Sequence, residues 1–236
     1  AAAATFAPLV ATRSALSETQ LRRGDYRAAA ATLAPLPGTD TCPLRLKTAW
    51  AAHEAGDTKT ALAAFAEAGR LACQPASEPV LGQGLALLAL GRLDEADFQI
   101  QAAARDQGNA RARVARGAVA FQRKDYAGAI RLYESQRGLL PTGEVVWSWG
   151  SNALNNLGWS YFHTGDYAAA ETVFATLARY NGATRYAAPL AGQGWAALKL
   201  GRTAEARQHF EASLRLAPGY EVAASGLKTL GAASGS

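Results

Sequence analysis

The stretch NNLGWSYFHTGDYAAAETVFATLARY, Asn155 to Tyr180, decides how this chain folds. At its centre stands the turn pair Gly165-Asp166. Seven residues before the glycine is Gly158; five after it is Ala170, and four further on is Phe174. Both flanks are built from helix formers with apolar residues at three- and four-residue spacing. Two helices joined by so short a turn run antiparallel, which sets Gly158 and Ala170 at nearly equal distances from the bend and face to face. Large side chains there would force the axes beyond the usual separation of about 8 to 10 Å, whereas glycine against alanine lets the backbones approach. The same symmetry sets Tyr161 near Tyr167.

The device occurs six times. Its turns are Gly24, Gly56, Gly91, Lys124, Gly165 and Gly201, and its alanines Ala29, Ala61, Ala96, Ala129, Ala170 and Ala206. The bulky followers are Leu33, Phe65, Ile100, Tyr133, Phe174 and Phe210, and the small residues before the turns are Ser17, Ala49, Gly84, Gly117, Gly158 and Gly194. Turns lie 32 to 41 residues apart, the range of stacked arrays rather than of a single closed core. No segment alternates β-branched residues at a period of two, so the chain reads as all-α.

The signposts Leu157, Gly158, Tyr161, Gly165, Asp166, Tyr167, Ala170 and Phe174 make this run resemble a tetratricopeptide repeat. ARVARGAVAFQRKDYAGAIRLYESQRGLLP and GQGWAALKLGRTAEARQHFEASLRLAP are similar, down to the closing Pro141 and Pro218. The resemblance covers roughly residues 10–220. It implies a right-handed α-solenoid of antiparallel helix hairpins whose first helices line a concave peptide-binding groove. On this reading residues 1–9 are a flexible N-terminal segment and 10–230 the solenoid. Repeats fall near 10–41, 42–76, 77–109, 110–143, 151–184 and 187–220, with an insertion at 144–150, a capping helix at 221–230 and a tail at 231–236. The cap is needed because an open terminal repeat exposes its apolar side.

The hydrophobic fraction of 49% is swollen by alanine, and no apolar stretch approaches the roughly 20 residues that span a bilayer. Cys42 lies fourteen residues before the second turn and Cys73 seventeen after it, both at the open mouth of one hairpin. A disulfide there and two unbonded thiols both remain open. A bond would imply an oxidising compartment, and the small residues of AAAATFAP suit the product of signal-peptidase cleavage. The location expected is periplasmic or secreted, with the cytoplasm as the alternative.

The net charge of +5 is matched by the segment Arg105–Arg137 alone, eight basic residues against three acidic ones. Arg111, Arg113, Arg116, Arg123 and Lys124 form this basic patch. It could attract an acidic peptide or an anionic polysaccharide, or be an ordinary solvated helix face. Arg116 stands where the best repeat has Leu157, so its guanidinium either snorkels outwards or pairs with a carboxylate. Nucleic acid is disfavoured, because aromatic and basic residues do not interleave as stacking platforms require.

Trp50, Trp159 and Trp195 each sit six residues before a turn glycine. In the fifth repeat the same helical face carries Asn152, Asn155, Phe162 and His163, with Phe121 and Gln122 in the repeat before. Family resemblance points these positions into the groove, where large amphipathic rings dominate binding energy. Packing between helices is the other reading of each indole. The 41-residue interval before Gly165 includes GEVVWSWGS, whose Trp147 and Trp149 are further contact candidates, since insertions in arrays map to binding sides. Some family members clamp a terminal carboxylate with Lys and Asn; here Asn155 is the lone counterpart, so a mixed or apolar peptide fits better.

Catalytic patterns are weak. GQGWAA at 192–197 satisfies a dinucleotide pattern but follows no strand, and His53, His163 and His209 lie in different repeats, forming neither a metal cluster nor a nucleophile–base pair. The expectation is a scaffold without catalysis, metal or cofactor that binds a protein or peptide partner in its groove, within a bacterial envelope or secretion assembly. The alternative is a periplasmic scaffold of exopolysaccharide export that contacts an anionic polymer through the fourth repeat.

Overall fold

The computed structural model describes residues 12–13, 15–20, 25–33, 41–140, 148–179 and 187–233. The expected N-terminal segment, the turn at Gly24, Trp147, most of the insertion and residues 234–236 lie outside them; Trp149 is in a helix, but its side chain is also outside. Among the described residues every regular element is helical. Helices α1 (Tyr26–Thr32), α2 (Cys42–Glu54), α3 (Thr58–Arg70), α4 (Ser77–Ala89), α5 (Leu93–Ala104), α6 (Ala110–Gln122) and α7 (Tyr126–Ser135) are followed by a single 3-10 turn, Arg137–Leu139. Then come α8 (Ser148–His163), α9 (Tyr167–Arg179), α10 (Ala187–Lys199), α11 (Thr203–Leu216) and α12 (Glu221–Ala233). Contacts divide the chain into two compact units, 1–115 and 116–236, with the division inside α6.

The hairpin turns need a left-handed residue. Gly56, Gly91, Gly165 and Gly201 have φ between +73° and +87°, where glycine alone is unstrained, and Lys124 adopts φ 62° in the same role. The next residue starts the second helix in one of two ways. Asp25, Asp57, Asp125 and Asp166 accept a hydrogen bond from the backbone N–H three residues on, at 2.8 to 3.2 Å, satisfying one of the helix's free donors. Arg92 and Arg202 take that place elsewhere without capping, and bond instead to Glu95 and Glu205.

Ala29, Ala61, Ala96, Ala129, Ala170 and Ala206 are fully buried. The inner glycines, however, do not face these alanines most closely. A Cβ on Gly158 would meet the Phe174 ring at 2.6 Å, one on Gly117 the Tyr133 ring at 2.6 Å, and one on Gly194 the Phe210 ring at 2.6 Å. Phe174 also lies against Gly192 of the next hairpin, at 2.6 Å from its would-be Cβ, and Phe210 against Gly226 of α12, at 2.3 Å. Phe65 meets Gly82 in the same manner, at 2.3 Å. At Phe65, Phe174 and Phe210 the glycine of the following hairpin or helix thus leaves room for one aromatic ring, and through that ring the second helices α3, α9 and α11 pack against the element that follows.

The expected Tyr161–Tyr167 approach is replaced by another contact. Phe162 meets Tyr167, with ring centroids 5.3 Å apart, while the Tyr161 hydroxyl donates to Glu134 at 3.0 Å. Burial, then Glu134, pushes this phenol up to about 12. Helix α9 is tied to α11 by Arg202, which donates to both oxygens of Glu171 at 2.6 and 2.7 Å. In the first unit Cys42 and Cys73 are bonded, Cα atoms 5.2 Å apart, and they close the mouth of the α2/α3 hairpin.

Candidate functional site

Trp50, Trp159 and Trp195 each stand edge-on to the ring fifteen residues later in the second helix of the same hairpin. Trp50 meets Phe65 at 4.7 Å and 72°, Trp159 meets Phe174 at 5.3 Å and 69°, and Trp195 meets Phe210 at 5.6 Å and 71°. One edge of each of these three indoles is thus core, and all three residues are half-buried. Of the two readings in sequence, packing between helices holds for one side of each of these rings, and the other side is not fully buried.

In the second unit these rings extend into a continuous run. Phe121 meets Tyr126 at 5.7 Å, and Tyr126 stacks on His163 at 4.3 Å with planes 16° apart. Phe162 then touches His163 at 5.8 Å, Trp159 at 5.4 Å and Trp195 at 6.5 Å. Five ring-bearing residues from α6, α8 and α10 are joined through Tyr126 at the start of α7. His163 and Gln122 are exposed, while Phe121, Phe162, Trp159 and Trp195 are half-buried. Burial lowers the proton affinity of His163. Trp195 has spent its polar handle, since its Nε1–H donates to the Val222 carbonyl of α12 at 3.0 Å.

Asn152 is exposed one turn above Asn155. Asn155 keeps a buried Oδ1 with no hydrogen-bond partner, and its neighbour Asn156 donates to the Tyr133 hydroxyl at 3.2 Å. Sequence reasoning missed Tyr126 and Tyr167 as members of the ring system. Their shared place, two residues after the turn, was the signal that could have found them.

The first unit has its own cluster. The Arg111 guanidinium lies over the Trp50 ring, 3.9 Å from its centroid, and 3.9 Å from Glu54 Oε1. Trp50 also meets His53 at 5.8 Å. Burial, then the charge of Arg111, pushes the proton affinity of His53 down, and burial does the same to Arg111. Arg111 Nε and His53 Nδ1 are buried without hydrogen-bond partners. This arginine is therefore an internal contact of the Trp50 site rather than part of a freely exposed basic surface. Arg113 donates to the Gln107 carbonyl. Arg116, Arg123 and Lys124 are exposed; of the two readings of Arg116, the outward-reaching one holds.

A separate cleft of about 870 Å³ opens among α1, α2 and α3, floored by alanines including Ala30 and Ala64 and edged by Arg27, Arg45 and Arg70. Residues 192–197 lie inside α10, and the space beside Gly192 and Gly194 is filled by phenyl rings, so no phosphate has room there. Among the described residues no three side chains gather to hold a metal, and no helix is long and apolar enough to cross a membrane.

The tetratricopeptide-repeat family model matches residues 81–141 and 155–221, more than half of the chain, and a second model of the same repeat matches 10–35. The chain belongs to the tetratricopeptide-repeat family. No curated protein is similar enough in sequence to count as a relative.

Solved structures of the repeat resemble it closely in fold. A chain of the Cut9–Hcn1 hetero-tetramer of the APC/C superposes with a TM-score of 0.81 at 22% identity, covering 94% of this chain and 42% of that one. A protein described as pilF of Pseudomonas aeruginosa gives 0.67 at 18% identity, covering 92% and 95%. YrrB, a repeat protein with an unusual peptide-binding site, gives 0.56 at 16%, covering 81% and 94%. At these identities the likeness concerns fold. Tetratricopeptide-repeat proteins bind protein or peptide partners and are generally scaffolds without catalysis; the similar structures give no support to an anionic polysaccharide as ligand.

Proposed function

We propose that this protein is a non-enzymatic scaffold that holds a segment of a partner protein on the aromatic face of α8 and α10, with the end of α6. The observation that carries this reading is the unbroken ring run from Phe121 through Tyr126, His163, Phe162 and Trp159 to Trp195. Half-buried rings already fixed by core contacts lose little conformational freedom on binding, so more of the contact energy appears as affinity. Trp159 and Phe162 are the principal anchors. His163, Gln122 and Asn152 offer hydrogen bonds at the rim, and the free Oδ1 of Asn155 is an acceptor for a donor that a shift of its neighbours would admit. Trp50 with His53 forms a second contact in the first unit; Trp147 and Trp149 remain candidates.

The same reading places the protein in an oxidising compartment, as part of an envelope or secretion assembly. The Cys42–Cys73 bond supports this, because such bonds persist where thiols are not kept reduced. Partner capture with the intact chain and with Trp159→Ala plus Phe162→Ala tests the face. Both substitutions should abolish retention while the far-ultraviolet circular dichroism stays helical; retention undiminished by them would refute it. Trp195 is left intact because it tethers α12.

A further inference from the structure

The first helices beyond residue 115 contain no carboxylate. Residues 116–122, all of α8 and all of α10 lack Asp and Glu, whereas the second helices α7, α9 and α11 hold Glu134, Glu171, Glu205 and Glu211. Three of those four already accept a hydrogen bond from a side chain. Glu134 accepts from Tyr161 at 3.0 Å, Glu171 from Arg202 at 2.6 Å and Glu205 from Arg202 at 3.1 Å. The turn acids Asp125 and Asp166 are spent as helix caps.

The residues two before each turn are Gln122, His163 and Lys199, and all three are exposed, as is Lys124 beside Gln122. The face therefore has an aromatic floor, an edge whose positive charges are Lys124 and Lys199 with His163 between them as a hydrogen-bonding imidazole that burial makes less basic, and no negative side chain on the helices that form it. A basic segment laid there would meet like charge and find no partner carboxylate, which is how a surface excludes the wrong ligand. An acidic segment meets the opposite.

We propose that the partner segment held on this face is an acidic peptide, with aromatic or aliphatic side chains seated against Trp159, Phe162 and Trp195 and Asp or Glu over Lys124, His163 and Lys199. This rests on the reading that the ring face is the binding site. Charge complementarity here selects the partner and speeds encounter, while the rings supply most of the hold.

The probe is a random twelve-residue displayed peptide library panned on the intact chain, followed by anisotropy titration of the recovered peptides at about 50 and 500 mM salt, either side of the screening regime. The expected peptides carry more Asp and Glu than Lys and Arg. Their affinity should fall about tenfold with Lys124→Glu plus Lys199→Glu, which alter exposed side chains only, and should also fall with Trp159→Ala and at high salt. Neutral or basic peptides, or affinity indifferent to the charge reversal while still lost in Trp159→Ala, overturn the acidic assignment and leave the face standing. Recovery of no peptide, or peptides indifferent to Trp159→Ala, overturns the face as well. A single-stranded oligonucleotide that displaces the peptides at lower concentration than they bind would make the ligand a nucleic acid and refute the peptide class.

Discussion

A methyl group on Gly192 would stand 2.6 Å from the ring of Phe174. Gly192→Ala must therefore push the ring or part the two hairpins. Overpacking of a tight core costs about 1 to 3 kcal/mol, which exceeds the gain of up to about 1 kcal/mol from replacing glycine inside a helix. Gly231 in α12 has nothing within 4 Å of its would-be Cβ, so Gly231→Ala should stabilise instead. Urea denaturation of both variants checks the opposite signs.

Removing the Cys42–Cys73 bond should destabilise the first unit by about 3.7 kcal/mol, the loop-closure value for a separation of 31 residues. The double variant Cys42→Ser plus Cys73→Ser and the reduced wild-type chain should unfold at the same lowered denaturant concentration. Equal stability with and without reductant would mean the bond does not form in the protein.

His53 should make stability fall in mild acid. Its proton affinity in the folded chain is lowered from the ordinary 6.5 by burial and by Arg111, so the unfolded chain takes up the proton first. The corresponding stability is present above the unfolded value and is lost as pH falls from about 6.5 towards the lower folded value. His53→Phe puts at this position the residue that Phe121 and Phe162 occupy at the same register. The difference in melting temperature between wild type and variant should be constant above pH 7 and move against wild type below 6.5.

Lys124 carries a side chain where the other described hairpin turns have glycine, at φ 62°. Lys124→Gly should relieve left-handed strain of about 1 to 2 kcal/mol, less the entropy that glycine gains in the unfolded chain. The net stabilisation is about 1 kcal/mol or less, read from the same denaturation curves. Gly165→Ala should move the other way.

The fold was legible because its signal is repeated: glycine at each described turn but one, a buried alanine five residues on, and a bulky anchor after that. What the glycines are for was less legible. Equal distance from the bend pairs Gly158 with Ala170, but the side chain that needs room is Phe174, which points back over the preceding turn as long helical side chains do. The same directionality explains why Phe162, and not Tyr161, reaches Tyr167. The tryptophan register was visible, but its packing against the ring fifteen residues on was not, because periodicity gives the face of a residue and not the depth of its ring. Arg111 shows the limit of counting charge: it adds to the basic total of its segment, yet it lies on an indole with much of its surface withdrawn from water.

The edge-on pairing of Trp159 with Phe174 has a thermodynamic corollary. The indole a partner would grasp leans on the ring that rivets one hairpin to the next, so gripping the first braces the second. Occupancy of the face should then be readable as a rise in the melting point of the α8/α9 hairpin, detectable by site-resolved hydrogen exchange long before any partner has been identified by name.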